Sequence, residues 1–248
     1  MAAYRSSPDE VARIDSLLKL LPARSDLVLE IGARDGHITR RLCGLYPSVV
    51  ALDLSPVRVS EPRCHPLVAN LVRLPFGEDE FDAVVCAEVL EHIPPELLEQ
   101  ACRELVRVTR ACLVVGVPFE QDLRIGRTTC PTCGARNPPW SHRTTFTKDL
   151  LSRLFAPMRC RAEDLVGRQS VATNPFSAWI LDRLGNPWGT YSQEEPCVTC
   201  GEPLRAPSIS PVRFALGKFA VALMRVQTVL TPSKANWIHL AFEKPHSS

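Results

Sequence analysis

The sequence lacks the features that would mark a membrane-spanning, secreted or nucleic-acid-coating chain. No run of about 18 uncharged apolar residues occurs. The nearest, 211–230, is interrupted by Arg213, Lys218 and Arg225, so no spanning helix is expected. Residues 1–15 are polar and lack the apolar core of a secretory leader, so none is expected. No sign of charge dominates: 29 Lys and Arg against 27 Asp and Glu leave a net +2, which gives no global electrostatic case for nucleic acid and leaves only a local basic patch as a route to it. Internal repeats and low-complexity tracts are absent as well. The expected compartment is the cytoplasm. Peripheral contact with a membrane through 211–230 stays open beside the alternative that this helix packs on its own domain.

What is present is 248 residues, 45% of them hydrophobic, enough for one substantial core and read as a single domain, 1–248. Its first half alternates strand and helix patterns. Short apolar runs at 27–31, 49–54, 67–69 (weak), 81–87 and 111–117 read as buried strands, and 8–21, 37–45 and 94–109 have helical spacing. A helix at 147–155 with Thr147 as N-cap, a strand at 158–166, a helix at 212–230 and a closing strand at 236–243, antiparallel to its neighbour, follow. Segment 119–143 reads as an irregular insertion, and 174–211 is broken by Pro and Gly. Non-alternating apolar strands joined by helices imply a mostly parallel α/β sheet of seven strands, Rossmann-like, with an antiparallel last strand and a ligand site beyond the strands' carboxyl ends.

The turn after the first strand carries the main functional signal. It reads Glu30-Ile31-Gly32-Ala33-Arg34-Asp35-Gly36, and Asp53 ends the second strand roughly twenty residues on, where a carboxylate can hold both hydroxyls of a ribose. The G-x-G-x-x-G spacing of dinucleotide sites is absent. Glycines at 32 and 36, with an acid two residues before the first, resemble class I methyltransferases that use S-adenosylmethionine. Arg34 departs from the family's middle glycine. Leu74-Pro75-Phe76, Phe81-Asp82-Ala83-Val84-Val85 and Glu88-Val89-Leu90-Glu91-His92-Ile93 are similar to the same family, in its methyltransferase type 11-like form. The likeness covers residues 10–120 well and the rest loosely. It implies that Glu30, Gly32, Ala33, Gly36 and Ala87 line the cofactor, Asp53 holds its ribose, Leu54 stacks on the adenine, and Asn70 and Leu71 meet the adenine edge. Asn70 stands where the family more often has an acid; its side-chain oxygen can still accept from the adenine amino group.

Four of the ten cysteines form two C-x-x-C-G knuckles, Cys130/Cys133 and Cys197/Cys200; the other six are scattered, mostly in apolar surroundings, and read as small buried hydrophobes. Four thiolates suit a closed, structural zinc site, although the roughly sixty residues between the knuckles exceed the usual finger spacing. A redox pair or four free thiols is the alternative. Insertions 119–145 and 174–231 would then be stapled into a lid over the substrate.

For chemistry the sequence offers Glu88, Glu91 and His92 after the fourth strand, and His142 after the first knuckle. This set resembles that of small-RNA 2′-O-methyltransferases, where it holds a divalent metal such as Mg; quinone-biosynthesis O-methyltransferases share the E-x-x-E-H alone. In class I enzymes without a metal the Glu–His pair packs locally, which leaves His142 as base or substrate contact. The expectation is a methyltransferase acting on a small molecule, a sugar or lipid-linked compound. An RNA methyltransferase and a non-catalytic cofactor-binding scaffold are the other readings.

Overall fold

The helices begin where the sequence supplies side-chain caps. Ser7 accepts the amide of Glu10 at 3.3 Å to start α1, Pro8–Leu20. Thr147 accepts from Leu150 at 3.2 Å to start α4, Lys148–Leu154. Asn174 accepts from Ser177 at 2.9 Å to start α5, Pro175–Leu184. The computed structural model describes residues 6–245; the ends of the expected domain, 1–5 and 246–248, lie outside the described residues.

Chain contacts divide the molecule into two units. The first comprises 1–119, 146–167 and 235–248, the second 120–145 and 168–234. The first unit is built on a seven-stranded sheet. In chain order its strands are β1 (Leu27–Ile31), β2 (Ser48–Asp53), β3 (Cys64–Val68), β4 (Phe81–Ala87), β5 (Thr109–Pro118), β8 (Arg159–Val166) and β9 (Trp237–Glu243). Across the sheet the order is β3-β2-β1-β4-β5-β9-β8. Strands β1 to β5 pair in parallel and β9 is antiparallel to both β5 and β8. The order reverses between β1 and β4, the switch point at which such sheets bind ligands.

Central strands β1, β4 and β5 are buried on both faces, which is why they read as continuous apolar runs. On one face α1 and α2 (His37–Leu45) bring Leu17, Leu20, Leu42 and Cys43 onto Val28, Val85 and Val114. On the other, α3 (Pro95–Val108) and α4 bring Leu98, Leu105, Leu151 and Phe155 onto Leu29, Val84 and Val115. The weak third strand, expected at 67–69, runs instead over Cys64–Val68. It is a half-exposed edge with Pro66 inside it, so neither hydrophobicity nor propensity announces it.

The second unit differs from the irregular reading of its segments. Within 119–143 lies a small hairpin, β6 (Thr128–Thr129) with β7 (Arg136–Asn137). Within 174–211 lies α5, which the Pro- and Gly-rich surroundings hide. Here α5 packs on α6 (Pro211–Leu230), with Ile180, Leu181, Leu184 and Ala220 forming a separate core. Segments 119–145 and 174–231, expected as insertions in one domain, thus fall, but for Phe119, in a unit with its own apolar core. Among the described residues no helix is long and apolar enough to cross a membrane.

Candidate functional site

The turn after β1 is held against the end of β2. Gly32 and Ala33 donate their amides to the Leu52 carbonyl at 2.8 and 3.1 Å, and Gly36 closes the turn on the Ala33 carbonyl at 2.7 Å. Gly32 and Gly36 have φ of 79° and 71°. A Cβ at Gly32 would lie 2.3 Å from Val89 Cγ2, so the glycine both turns the chain and admits a close neighbour. Arg34, between the two glycines, adopts φ 44°, a left-handed conformation that favours glycine.

Asp53 ends β2 with its Oδ2 accepting the Arg34 amide at 2.9 Å and its Oδ1 accepting the Ser55 amide at 3.0 Å. Leu54 beside it is 71% exposed, an open apolar face where an adenine would stack. Asn70 accepts the Val72 amide through Oδ1 at 3.1 Å, capping its own turn and keeping a second lone pair for a ligand. Leu71 and Ala87 are buried. Glu30 is buried in β1, and its Oε2 has no hydrogen-bond partner. Burial pushes its carboxyl up to about 7, against the Thr39 hydroxyl and with help from Asp35 and Asp53. A turn with two left-handed glycines, a carboxylate on its amides, an open apolar face and an unsatisfied buried acid fit S-adenosylmethionine, whose methionine end carries an ammonium and whose ribose carries two hydroxyls.

At the end of β4, Glu88 takes φ 57°, a sparsely populated conformation for a residue with a Cβ. Its Oε2 accepts the Trp237 indole N–H at 3.1 Å, and its Oε1 is buried with no partner. Burial raises the Glu88 carboxyl, while the Arg13 guanidinium and the Trp237 indole hold it down. Glu91, in a single 3₁₀ turn of residues 90–92, is fully buried with neither oxygen hydrogen-bonded. Burial and then the Glu88 charge raise its carboxyl well above the ordinary range. His92 follows at the end of that turn, half-buried. His142 belongs to the second unit, where its Nδ1 lies 2.6 Å from Gln121 Oε1. Sequence reasoning missed Glu10, Arg13 and Trp237. Arg13 pairs with Glu10 at 2.9 and 3.0 Å, which reads in sequence as an ordinary i,i+3 pair on a helix surface, and both are buried.

The second unit brings the two knuckles together. The sulfurs of Cys130, Cys133, Cys197 and Cys200 all lie within 4.8 Å of one another. The pairs Cys130–Cys200 and Cys133–Cys197 are 3.7 and 3.6 Å apart. Four thiolates at zinc–sulfur distances of about 2.3 Å on a tetrahedron would be ~3.8 Å apart, so the donors fit. The knuckles are built alike. The amides of Gly134 and Gly201 donate to the carbonyls of Cys130 and Cys197, and both glycines have φ 74°. Burial raises the Cys197 thiol, but the amides of Cys200 and Thr199 and the neighbouring thiols outweigh it and bring it to about 6, toward the thiolate a metal needs. Asn137 joins the knuckles by accepting the Val198 amide at 2.8 Å. Asp182 of α5 was not anticipated. It accepts from Arg127 at 2.7 and 2.5 Å and lies 3.2 Å from Arg136, tying the helix to the hairpin that carries the first knuckle. The same unit holds a pocket of ≈ 210 Å³, lined by Asp122, Gln169, Thr173, Gln227 and Lys234 among others.

Residues 29–111 match a family described as a methyltransferase domain. The ubiquinone biosynthesis O-methyltransferase of Xylella fastidiosa is 31% identical over 106 residues, 38% of this chain and 43% of that protein. Its counterpart in Xanthomonas oryzae is 34% identical over 105 residues, 36% of this chain and 44% of that one. The chain thus spans less than half the length of the curated relatives it matches. Among solved structures, the N-methyltransferase NodS of Bradyrhizobium japonicum aligns over 98% of this chain and 99% of its own, at 14% identity and a TM-score of 0.56. The cyclase SpnF aligns over 94% of this chain and 80% of its own, at 15% identity and a TM-score of 0.55. Residues 29–111, within the first unit, are thus similar to a methyltransferase domain, and the fold is shared with solved methyltransferases. SpnF has the same fold under a different title, so the reaction has to be argued from the site and not from the fold.

Proposed function

We propose that this chain transfers a methyl group from S-adenosylmethionine to a small-molecule acceptor, using a site at the carboxyl edge of β1, β2 and β4, with the zinc-bound second unit selecting the acceptor. The observation that carries the reading is the juncture of the glycine turn with Asp53. Bound there, S-adenosylmethionine supplies a methyl group on a sulfonium, an electrophile that needs only an aligned acceptor with its proton removed. Asp53 and the turn amides would hold the ribose and methionine ends. Glu88 and Glu91 are candidates to take the acceptor's proton: two buried carboxyls, both raised by burial, with the Glu88 charge raising Glu91 further.

The chain leaves and re-enters the first unit after Phe119, before Phe146, after Gly167 and before Ala235. By the strand directions the strand ends among these points lie at the carboxyl edge of the sheet; the substrate-covering role expected from sequence for 120–145 and 168–234 belongs to this proposal. The curated relatives are named as O-methyltransferases, which makes an oxygen acceptor the first to assay. Neither an RNA acceptor nor a non-catalytic scaffold gains support from these matches.

Calorimetry with S-adenosylhomocysteine tests the reading. Asp53→Ala removes hydrogen bonds to an ionised group worth about 1.5–3 kcal/mol each, so affinity should fall ten- to a hundredfold. Binding that ignores the substitution sinks the cofactor assignment. Binding that is retained without methyl transfer to any phenol, sugar or lipid-linked acceptor favours the scaffold instead.

A further inference from the structure

Helix α6 is apolar on two opposite faces. One face, through Gly217, Ala220, Val221 and Met224, lies on α5. The opposite face carries Val212, Leu216, Phe219, Leu223, Val226 and Leu230, spaced 4-3-4-3-4. At 100° per residue these six fall within an arc of about 80°. All but the half-buried Leu223 are exposed, Val212 at 70% and Leu230 at 74%. Nothing in the described residues covers this stripe.

We propose that the stripe is a docking face for an anionic lipid surface. Charge chooses this occupant. Helix α6 contains Arg213, Lys218 and Arg225 and no carboxylate. By the same helical geometry Arg213 stands about 100° from the centre of the stripe on one side, and Lys218 and Arg225 stand about 120–140° from it on the other. Lys218 Nζ stands 5.4 Å from the ring centres of Trp188 and Phe214, which leaves the exposed Arg213 and Arg225 as the long cationic side chains that reach headgroups with their stems along the helix. A second copy of the helix would suit the spacing, but it would gather these cations into one seam with no carboxylate in α6 to answer them. The sole carboxylate of α5, Asp182, is already held by Arg127 and Arg136.

The start of α6 continues into an aromatic ridge of the kind that sits at headgroup level. Arg213 donates to the Arg183 carbonyl at 3.0 Å. The Arg183 guanidinium lies 5.5 Å from the Trp179 ring centre, and Trp179 stacks on Phe176 at 6.3 Å. Both rings are more than half exposed.

Vesicle co-sedimentation of the zinc-loaded protein, without cofactor, is the test, so its failure is separable from failure of the methyl-transfer reading. The expected result is binding to phosphatidylcholine vesicles that contain phosphatidylglycerol, weakening with salt, and at least roughly tenfold weaker binding to phosphatidylcholine alone. Arg225→Glu reverses one flanking charge and should weaken anionic binding about tenfold or more. The pair Leu216→Ser and Phe219→Ser should abolish it, while the melting profile and zinc content stay those of the unaltered protein. No binding to anionic vesicles overturns the proposal. So does a dimer in sedimentation velocity that the Leu216→Ser, Phe219→Ser pair dissociates while vesicle binding persists.

Discussion

Arg34 and Glu30 are the two residues at which the cofactor turn departs from its most economical form. Arg34 holds φ 44°, where a Cβ crowds the backbone at about 1–2 kcal/mol. Glycine removes that strain and loosens the unfolded chain by somewhat less. Arg34→Gly should therefore raise stability by about 0.5–1 kcal/mol, read as a shift of the urea midpoint at unchanged slope. A midpoint that falls would mean that the arginine side chain contributes more than its backbone costs. For Glu30 the folded carboxyl titrates near 7 against an ordinary value of 4.5. Below pH 4.5 both states carry the proton; between 4.5 and 7 only the folded state does, so stability falls as pH rises through that window and stays low above it. The loss is on the order of 3 kcal/mol, and Glu30→Gln should remove most of it. Denaturant midpoints of the two proteins should therefore converge below pH 4.5 and separate by pH 7.5. A cationic ligand end favours the carboxylate, so cofactor affinity should rise with pH across the same window in the native protein and stay flat in Glu30→Gln.

At the scale of elements, Asp182 decides whether α5 is a helix attached to anything. Its side chain is almost wholly buried between Arg127 and Arg136, and both Thr129 and Asn186 add hydrogen bonds between the same two segments. Asp182→Asn keeps the shape and strands a largely buried Arg127 charge, which costs about 3–5 kcal/mol. The second unit should unfold earlier in a thermal scan and release zinc at lower chelator concentration; an unchanged release curve would separate α5 from the knuckles. None of this was legible in the sequence, for a reason that α5 itself illustrates. Sequence periodicity reports what faces a core. Strands β1, β4 and β5, pressed between two helical layers, write that report in nearly every residue, helices α1 to α3 write it along the one face they turn to the sheet, and the glycine turn and Asp53 sit at fixed points of it. Helix α5 has ten residues between prolines and glycines, packs its apolar side chains on α6, and is oriented by an ion pair to residues about fifty positions away. Edge strand β3 faces water on much of its surface and carries Pro66, so its pattern is equally faint. The four cysteines were the exception in this half of the chain, because a metal site declares itself by residue type and spacing without help from a core. The Glu88 environment shows the reverse case. The glutamates were evident, and the Arg13 and Trp237 that tune Glu88 come from the two ends of the chain, beyond the reach of any local pattern.

The whole molecule combines two units stabilised in different ways. The first has a seven-stranded sheet with apolar layers on both faces and can be expected to hold its fold without help. The second has a core of only a few residues between α5 and α6, a two-residue hairpin, and four sulfurs at zinc-binding distance. A core that small supplies little against the entropy of ordering nearly a hundred residues, and a Cys₄ zinc site, which contributes about 10–16 kcal/mol in isolated peptides, would supply the difference. Removing zinc with a strong chelator should therefore split unfolding into two transitions. Limited proteolysis of the chelated protein should cut within 120–145 and 168–234 and leave the strands of the first unit protected. S-adenosylhomocysteine, on the proposal that Asp53 and the glycine turn bind it, should still raise the melting temperature of the surviving transition, because ligand binding stabilises only the unit that holds it. Methyl transfer should be lost over the same chelator range, since acceptor selection is assigned to the unit that melts. If proteolysis instead opens the sheet and the second unit together, the two fold as one body and zinc stabilises the whole. If activity survives complete cleavage of 168–234, the acceptor is chosen by the first unit alone and the knuckles serve stability only.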